Sequence, residues 1–213
     1  MSMNNISGQY DSRGDKRIYG VITGVVIKNK DPQGKGRVKV KFPCLTDSEM
    51  GYWARMAAPM AGGDRGILFL PEEKDEVLVV FEEGDISRPY IIGALWNGKD
   101  KPPYSNEDGK NNLRIIKSRS GHIIRLDDTD GSEKIEIIDK SSKNSITIDT
   151  AKNSISIKSE KDISIDAPNG IIRLNSKSIE VSSSAETKVD AKAGLELKSS
   201  GNTVIKGATV NIN

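Results

Sequence analysis

Residues 153–166 read NSISIKSEKDISID, and within them the pair Ile155/Ile157 returns eight residues later as Ile163/Ile165. The same register holds at Ile179/Val181 and Leu195/Leu197, while Val189 and Ile205 fill the second slot where Thr187 and Thr203 take the first. Side chains spaced by two fall on one face of a strand. The residues ahead of each pair, among them Asn153-Ser154, Lys161-Asp162, Asn169-Gly170 and Gly201-Asn202, favour turns. Each eight-residue unit is therefore a short strand and a corner, and the pattern runs from about Ile135 to the C-terminus.

Such a unit offers one apolar stripe and cannot bury it alone, so stacked neighbours must complete the core. Two arrangements satisfy this: a single-chain triangular solenoid, or three chains wound around one axis. Seven octads between Ile155 and Val210 would give a single chain only two or three coils, which is thin for a solenoid. The sequence favours three chains, with a core of Ile155, Ile157, Ile163, Ile165, Ile179, Val181, Val189, Leu195, Leu197 and Ile205. Arg173 occupies a slot held elsewhere by Ile, Val or Leu, and Ile172 and Leu174 flank it. A slip of one residue is expected to send Arg173 outward.

The rest of the chain is different in kind. Of 213 residues 35% are apolar and 5% aromatic, low for one large core, and the last aromatic is Tyr104. A globular first half thus precedes a fibrous second half. Net charge is +2, with 32 bases against 30 acids interspersed, so no strong field points to nucleic acid or an anionic membrane. Cys44 is the single cysteine, which excludes an internal disulfide and reads as a small buried hydrophobe. No apolar run reaches membrane-spanning length, and the polar N-terminus MSMNNISGQYDSRGDKR has no signal-peptide core. Synthesis in the cytoplasm is the expectation.

Strand-like runs in the first half fall at Tyr19 to Lys28, Arg37 to Phe42, Tyr52 to Ala57, Ile67 to Leu70, Glu76 to Phe81 and Tyr90 to Leu95. Turn clusters such as Asp31-Pro32-Gln33-Gly34 and Glu83-Gly84-Asp85 separate them. Five or six short strands with irregular connections suit a closed Greek-key barrel of the OB-fold kind. The expected architecture is all-β: an extension (1–17), an OB-fold barrel (18–97), a linker (98–119) and an intertwined trimeric β-helix, or prism (120–213).

Residues Gly51 to Gly62, then Gly66, Pro71, Asp75 to Val79, Phe81, Gly84-Asp85, Arg88-Pro89, Ile92-Gly93 and Leu95-Trp96-Asn97, resemble the OB-fold domain of phage baseplate assembly protein V and the VgrG spike proteins. Ser120-Gly121-His122 with Leu126 to Thr129, Gly131, Glu133 and Ile135 to Asp139 resembles the entry to the β-helix of that family. The resemblance implies a central spike of a contractile injection machine, assembled into the baseplate of a virion or phage-tail-like particle. Three copies would form the spike beneath a baseplate hub protein and meet the target-cell envelope during injection. Some members carry a lysozyme-like domain between barrel and helix, for which residues 98–119 are too short. Some short spikes end in a His-x-His iron tip, whereas this chain has one histidine, His122, and ends Val210-Asn211-Ile212-Asn213. Those four residues are the expected dock for a separate PAAR-type tip protein.

Other chemistry is weakly signalled, and no catalytic, cofactor or metal residue is assigned. His122 with Asp127 or Asp128 and Ser118 or Ser120 matches no catalytic order and reads as a turn entering a strand. Asp127-Asp128-Thr129-Asp130-Gly131 lacks the closing glutamate of a calcium loop. Gly34-Lys35-Gly36 is too short to cradle phosphate. A rival reading, an OB-fold for single-stranded nucleic acid, would rest on Tyr19, Tyr52, Trp53, Lys39 and Lys41, but leaves the fibrous half without use. A trimeric tail fibre or adhesin would leave the barrel unexplained.

Overall fold

The computed structural model describes residues 9–10, 16–45 and 50–211. Its first half contains β1 (Gln9–Tyr10), β2 (Lys16–Arg17), β3 (Ile22–Lys28), β4 (Val38–Lys41), β5 (Tyr52–Met56), β6 (Ala61–Gly62), β7 (Arg65–Gly66), β8 (Glu76–Phe81) and β9 (Pro89–Leu95). Alternation decides what these strands enclose. Ile22 and Val26 of β3, Val38 and Val40 of β4, and Val77, Val79 and Phe81 of β8 are buried, with more exposed residues between them. Strands β3, β4, β5, β9 and β8 close into a barrel in that order. Only the β5 and β9 pair is parallel. That is the Greek-key connection expected of an OB-fold.

Phe42 centres the core, stacked on Tyr52 at 5.9 Å and edge-on to Phe81 at 5.2 Å. Gly24 is required beside it, because a Cβ there would lie 2.3 Å from Val40 Cγ1. The first barrel turn is organised by Asp31. Its carboxylate accepts from the backbone N–H of Gln33, Lys35 and Arg37 and pairs with the Arg37 guanidinium at 2.9 Å. The Arg37 partnership holds the Asp31 carboxyl far below its ordinary range.

Two expectations are corrected. Ile67 to Leu70 form no strand; Leu68 and Phe69 stand exposed after the small β6/β7 hairpin. Gly66 closes that hairpin at φ +150, where a Cβ would fall 2.5 Å from the Met60 carbonyl oxygen, so the chain leaves it unpaired. Cys44 is exposed, because the turn closed by Leu45 N–H on Phe42 O sends Phe42 inward and turns Pro43 and Cys44 out.

A second sheet follows: β10 (Leu113–Lys117), β11 (Ile123–Asp127), β12 (Lys134–Ile138), β13 (Ser145–Asp149) and β14 (Ser154–Lys158), an antiparallel meander of five-residue strands. Its first strand lies inside the stretch read as linker. The remainder of that stretch also packs, since Pro102 and Pro103 line one cleft with Trp96 and Ile115. Arg119, in the first hairpin turn, reaches Glu72 of the barrel segment at 3.0 Å.

Residues 163–213 make a separate unit. Its described part, to residue 211, forms turns, such as that closed by Gly170 N–H on Ala167 O, but no strand.

Candidate assembly surface

Strand register sorts the meander's side chains into two unlike faces. Across the five strands, Ile116, Ile124, Ile137, Ile146 and Ile157 stand opposite one another in one column. Beside it run Leu126, Ile135, Ile148 and Ile155, begun by Arg114. These nine apolar side chains are from 41% to 72% exposed. The opposite face places Ile115, Arg125, Glu136, Thr147 and Ser156 in line. There Arg125 Nε donates to Glu136 at 2.8 Å, and Glu136 is only 9% exposed. The polar face is internally satisfied, while the apolar face has no cover within the chain.

The size of that face decides its meaning. Five strands at about 4.8 Å spacing make an apolar strip roughly 20 Å tall, continuous where lone proteins scatter their surface apolar residues. Covering nine half-exposed Ile and Leu side chains contributes on the order of 10 kcal/mol per chain.

Hairpin turns bound the strip at both ends, and an aspartate organises three of them. Asp139 accepts from the Ser141 hydroxyl and from Asn144, which lower its carboxyl to about 2. Asp127 is lowered by Thr129, and Asp149 by Lys152. Ionised acceptors of this kind fix the turn backbone.

The predicted core residues divide. Ile155 and Ile157 lie on the apolar face, in line with Ile148 and Ile146. Ile163, Ile165, Ile179, Val181, Val189, Leu195, Leu197 and Ile205 lie in the second unit, each more than half exposed and paired to no strand among the described residues. Arg173 is exposed there too, as are Val210 and Asn211; Ile212 and Asn213 lie outside the described residues, as does most of the 1–17 extension. The meander before Ile155 escaped the octad reading because its period is longer. The signal was present: Ile124/Leu126, Ile135/Ile137 and Ile146/Ile148 recur at intervals of eleven.

Geometry also disposes of the other candidates. His122 Nδ1 accepts the Lys140 N–H at 3.3 Å, and the His122 N–H donates to Ser118 Oγ at 3.0 Å. Asp127 and Asp128 lie beyond the far end of β11, roughly 17 Å away for five residues of strand, so no triad forms. The Asp127 to Gly131 stretch is a hairpin turn, with Asp127 accepting from Thr129 N–H at 3.0 Å and Asp128 bound to Arg114. On the barrel, Tyr52 packs against Phe42 and the Trp53 ring is covered by Arg37 at 5.5 Å, beside Lys39. Two of the three aromatic platforms a single strand would need are thus already occupied.

Residues 22–96 match the family described as the type VI secretion system/phage-baseplate injector OB domain. The barrel is an injector OB domain. The chain is 35% identical over 103 residues to the type VI secretion system spike protein VgrG2a of Pseudomonas aeruginosa, covering 44% of this chain and 12% of that protein. It is 30% identical over 119 residues to the spike protein VgrG3 of Vibrio cholerae, covering 49% and 12%. With VgrG1a of P. aeruginosa the identity is 29% over 138 residues, covering 56% and 21%. That last share exceeds what residues 1–96 can supply, so similarity continues past the injector OB domain toward the meander. The chain is VgrG-like, and its matches span about a tenth to a fifth of the length of these relatives.

Proposed function

We propose that this chain is the central spike of a contractile injection machine, a structural and non-catalytic homotrimer. Three meanders would pack their apolar faces around one axis as a prism, and the octad tails would wind together beyond them. The observation that carries this reading is the uncovered isoleucine face, which follows an injector OB domain and passes at Ile155/Ile157 into the octad repeat. Chains wound in this way cannot part without unwinding, and inter-chain ladders would make a rod fit for compressive load.

In this reading the barrels form a collar beneath a separate hub protein. The Val210-Asn211-Ile212-Asn213 end presents a blunt apolar face that a PAAR-type protein caps. Assembly takes place in the cytoplasm, into the baseplate of a phage tail or a related particle, and the spike meets the target-cell envelope on contraction. Light scattering of the purified full chain tests the core of this proposal. A trimer with rod-like projections in electron micrographs is expected, and a stable folded monomer would overturn it. Deleting residues 208–213 should leave the trimer intact while the tip protein is lost from purified particles.

A further inference from the structure

The two ends of the meander's apolar strip carry opposite charge. At one end lie the turns 118–122 and 139–144, with the bases Arg119, Lys140 and Lys143 against the acid Asp139. At the other lie the turns 128–133 and 150–153, with the acids Asp128, Asp130 and Glu133 against the base Lys152. Several of these charges are already engaged: Arg119 with Glu72, Lys143 with Glu160, Asp128 with Arg114 and Lys152 with Asp149. Lys140, at the basic end, and Asp130 and Glu133, at the acidic end, are given no ionic partner among the described residues. Their backbones are nonetheless fixed. The Lys140 N–H is held by His122, the turn around it by Asp139, and the Glu133 carbonyl accepts from Thr150 N–H at 3.0 Å.

We infer that these ends form a charge-matched seam between copies of this chain, in which Lys140 of one copy faces Glu133 of the next. The inference rests on the trimeric reading above and adds what selects the partner edge. Three-fold symmetry sets the three copies of β12 at one height around the axis, running head to tail. Lys140 follows the end of β12 and Glu133 precedes its start, so the ring brings these two positions together at each of its three corners. The same construction sets His122 against Asp128, Ser118 against Asn112, and Asn144 against Thr150, so polar meets polar along the seam. Each edge rejects its own kind, because basic against basic or acidic against acidic repels. The matching therefore favours a closed head-to-tail ring over a face-to-face dimer.

Charge reversal tests the seam. Full-length K140E and E133K should each yield about tenfold less trimer on refolding at about 50 mM salt, with the deficit shrinking in high salt as the charges are screened. The double variant K140E/E133K restores the opposition with the signs exchanged and should recover wild-type yield. That recovery also excludes misfolding as the cause of the single defects. Single variants that assemble like wild type, or a double variant no better than either, would overturn the seam. A wild-type chain that is itself monomeric would instead overturn the trimeric reading.

Discussion

Between Leu113 and Lys158 every strand is followed by a turn of four to six residues, whereas beyond Lys158 the octad leaves about three before the next apolar pair. The longer turns reverse the chain, so each strand finds its hydrogen-bond partner in the previous one and the meander pairs with itself. The shorter corners do not, and no strand forms in the described part of residues 163–213. Both regions carry the same alternation of Ile, Val and Leu with polar residues. The spacing of the pairs, more than their composition, separates a sheet that lacks only a cover from a segment that also lacks its ladder.

Carboxylates in the two regions should break assembly most severely. Ile137→Asp on the meander face and Ile179→Asp in the tail each set three unpaired charges in a shared core, at several kcal/mol per charge. Both variants are expected to run without trimer in light scattering. Ser156→Asp, on the opposite face of β14, should assemble normally.

Ending the chain at Asp162 sharpens the contrast, since it keeps the self-paired sheet and discards the octads. A trimer held by apolar faces alone should persist but exchange labelled subunits at least about tenfold faster than the full chain, because the wound segment that slows dissociation is gone.

A smaller effect is expected in the barrel, which needs no partner for its core. Gly24→Ala drives a methyl into Val40 and should cost about 1–3 kcal/mol. Calorimetry should show an earlier barrel transition while the trimer survives.

The smallest effect concerns acid. Asp139 is held at about 2 in the folded chain, below its ordinary 3.8. A depressed carboxyl stabilises the fold above its unfolded value, so its contribution is intact above about pH 4 and is lost as pH falls toward 2. Melting followed by circular dichroism should show that decline, and Asp139→Asn should flatten it while lowering stability at neutral pH.

The barrel was readable because β3, β4 and β8 alternate cleanly and because turn residues such as Asp31 and Gly34 punctuate them. Ile67 to Leu70 misled, since four apolar residues look like a strand whether or not a neighbour exists to pair with them. Cys44 misled for a related reason: residue type reports an average preference, and a turn closed on Phe42 outweighs it.

By itself the sequence determined the all-β class, the division into barrel and fibre, and the register of the octads. Each of these depends on local periodicity, which covalent geometry ties to a face of the strand. The tertiary structure alone decided that Ile116, Ile124, Ile137 and Ile146 stand in one column with Ile157, and that basic and acidic turns collect at opposite ends of it. Such columns depend on which strands pair and on the turn lengths that set their register, so residues far apart in the chain become neighbours only when the hairpins close.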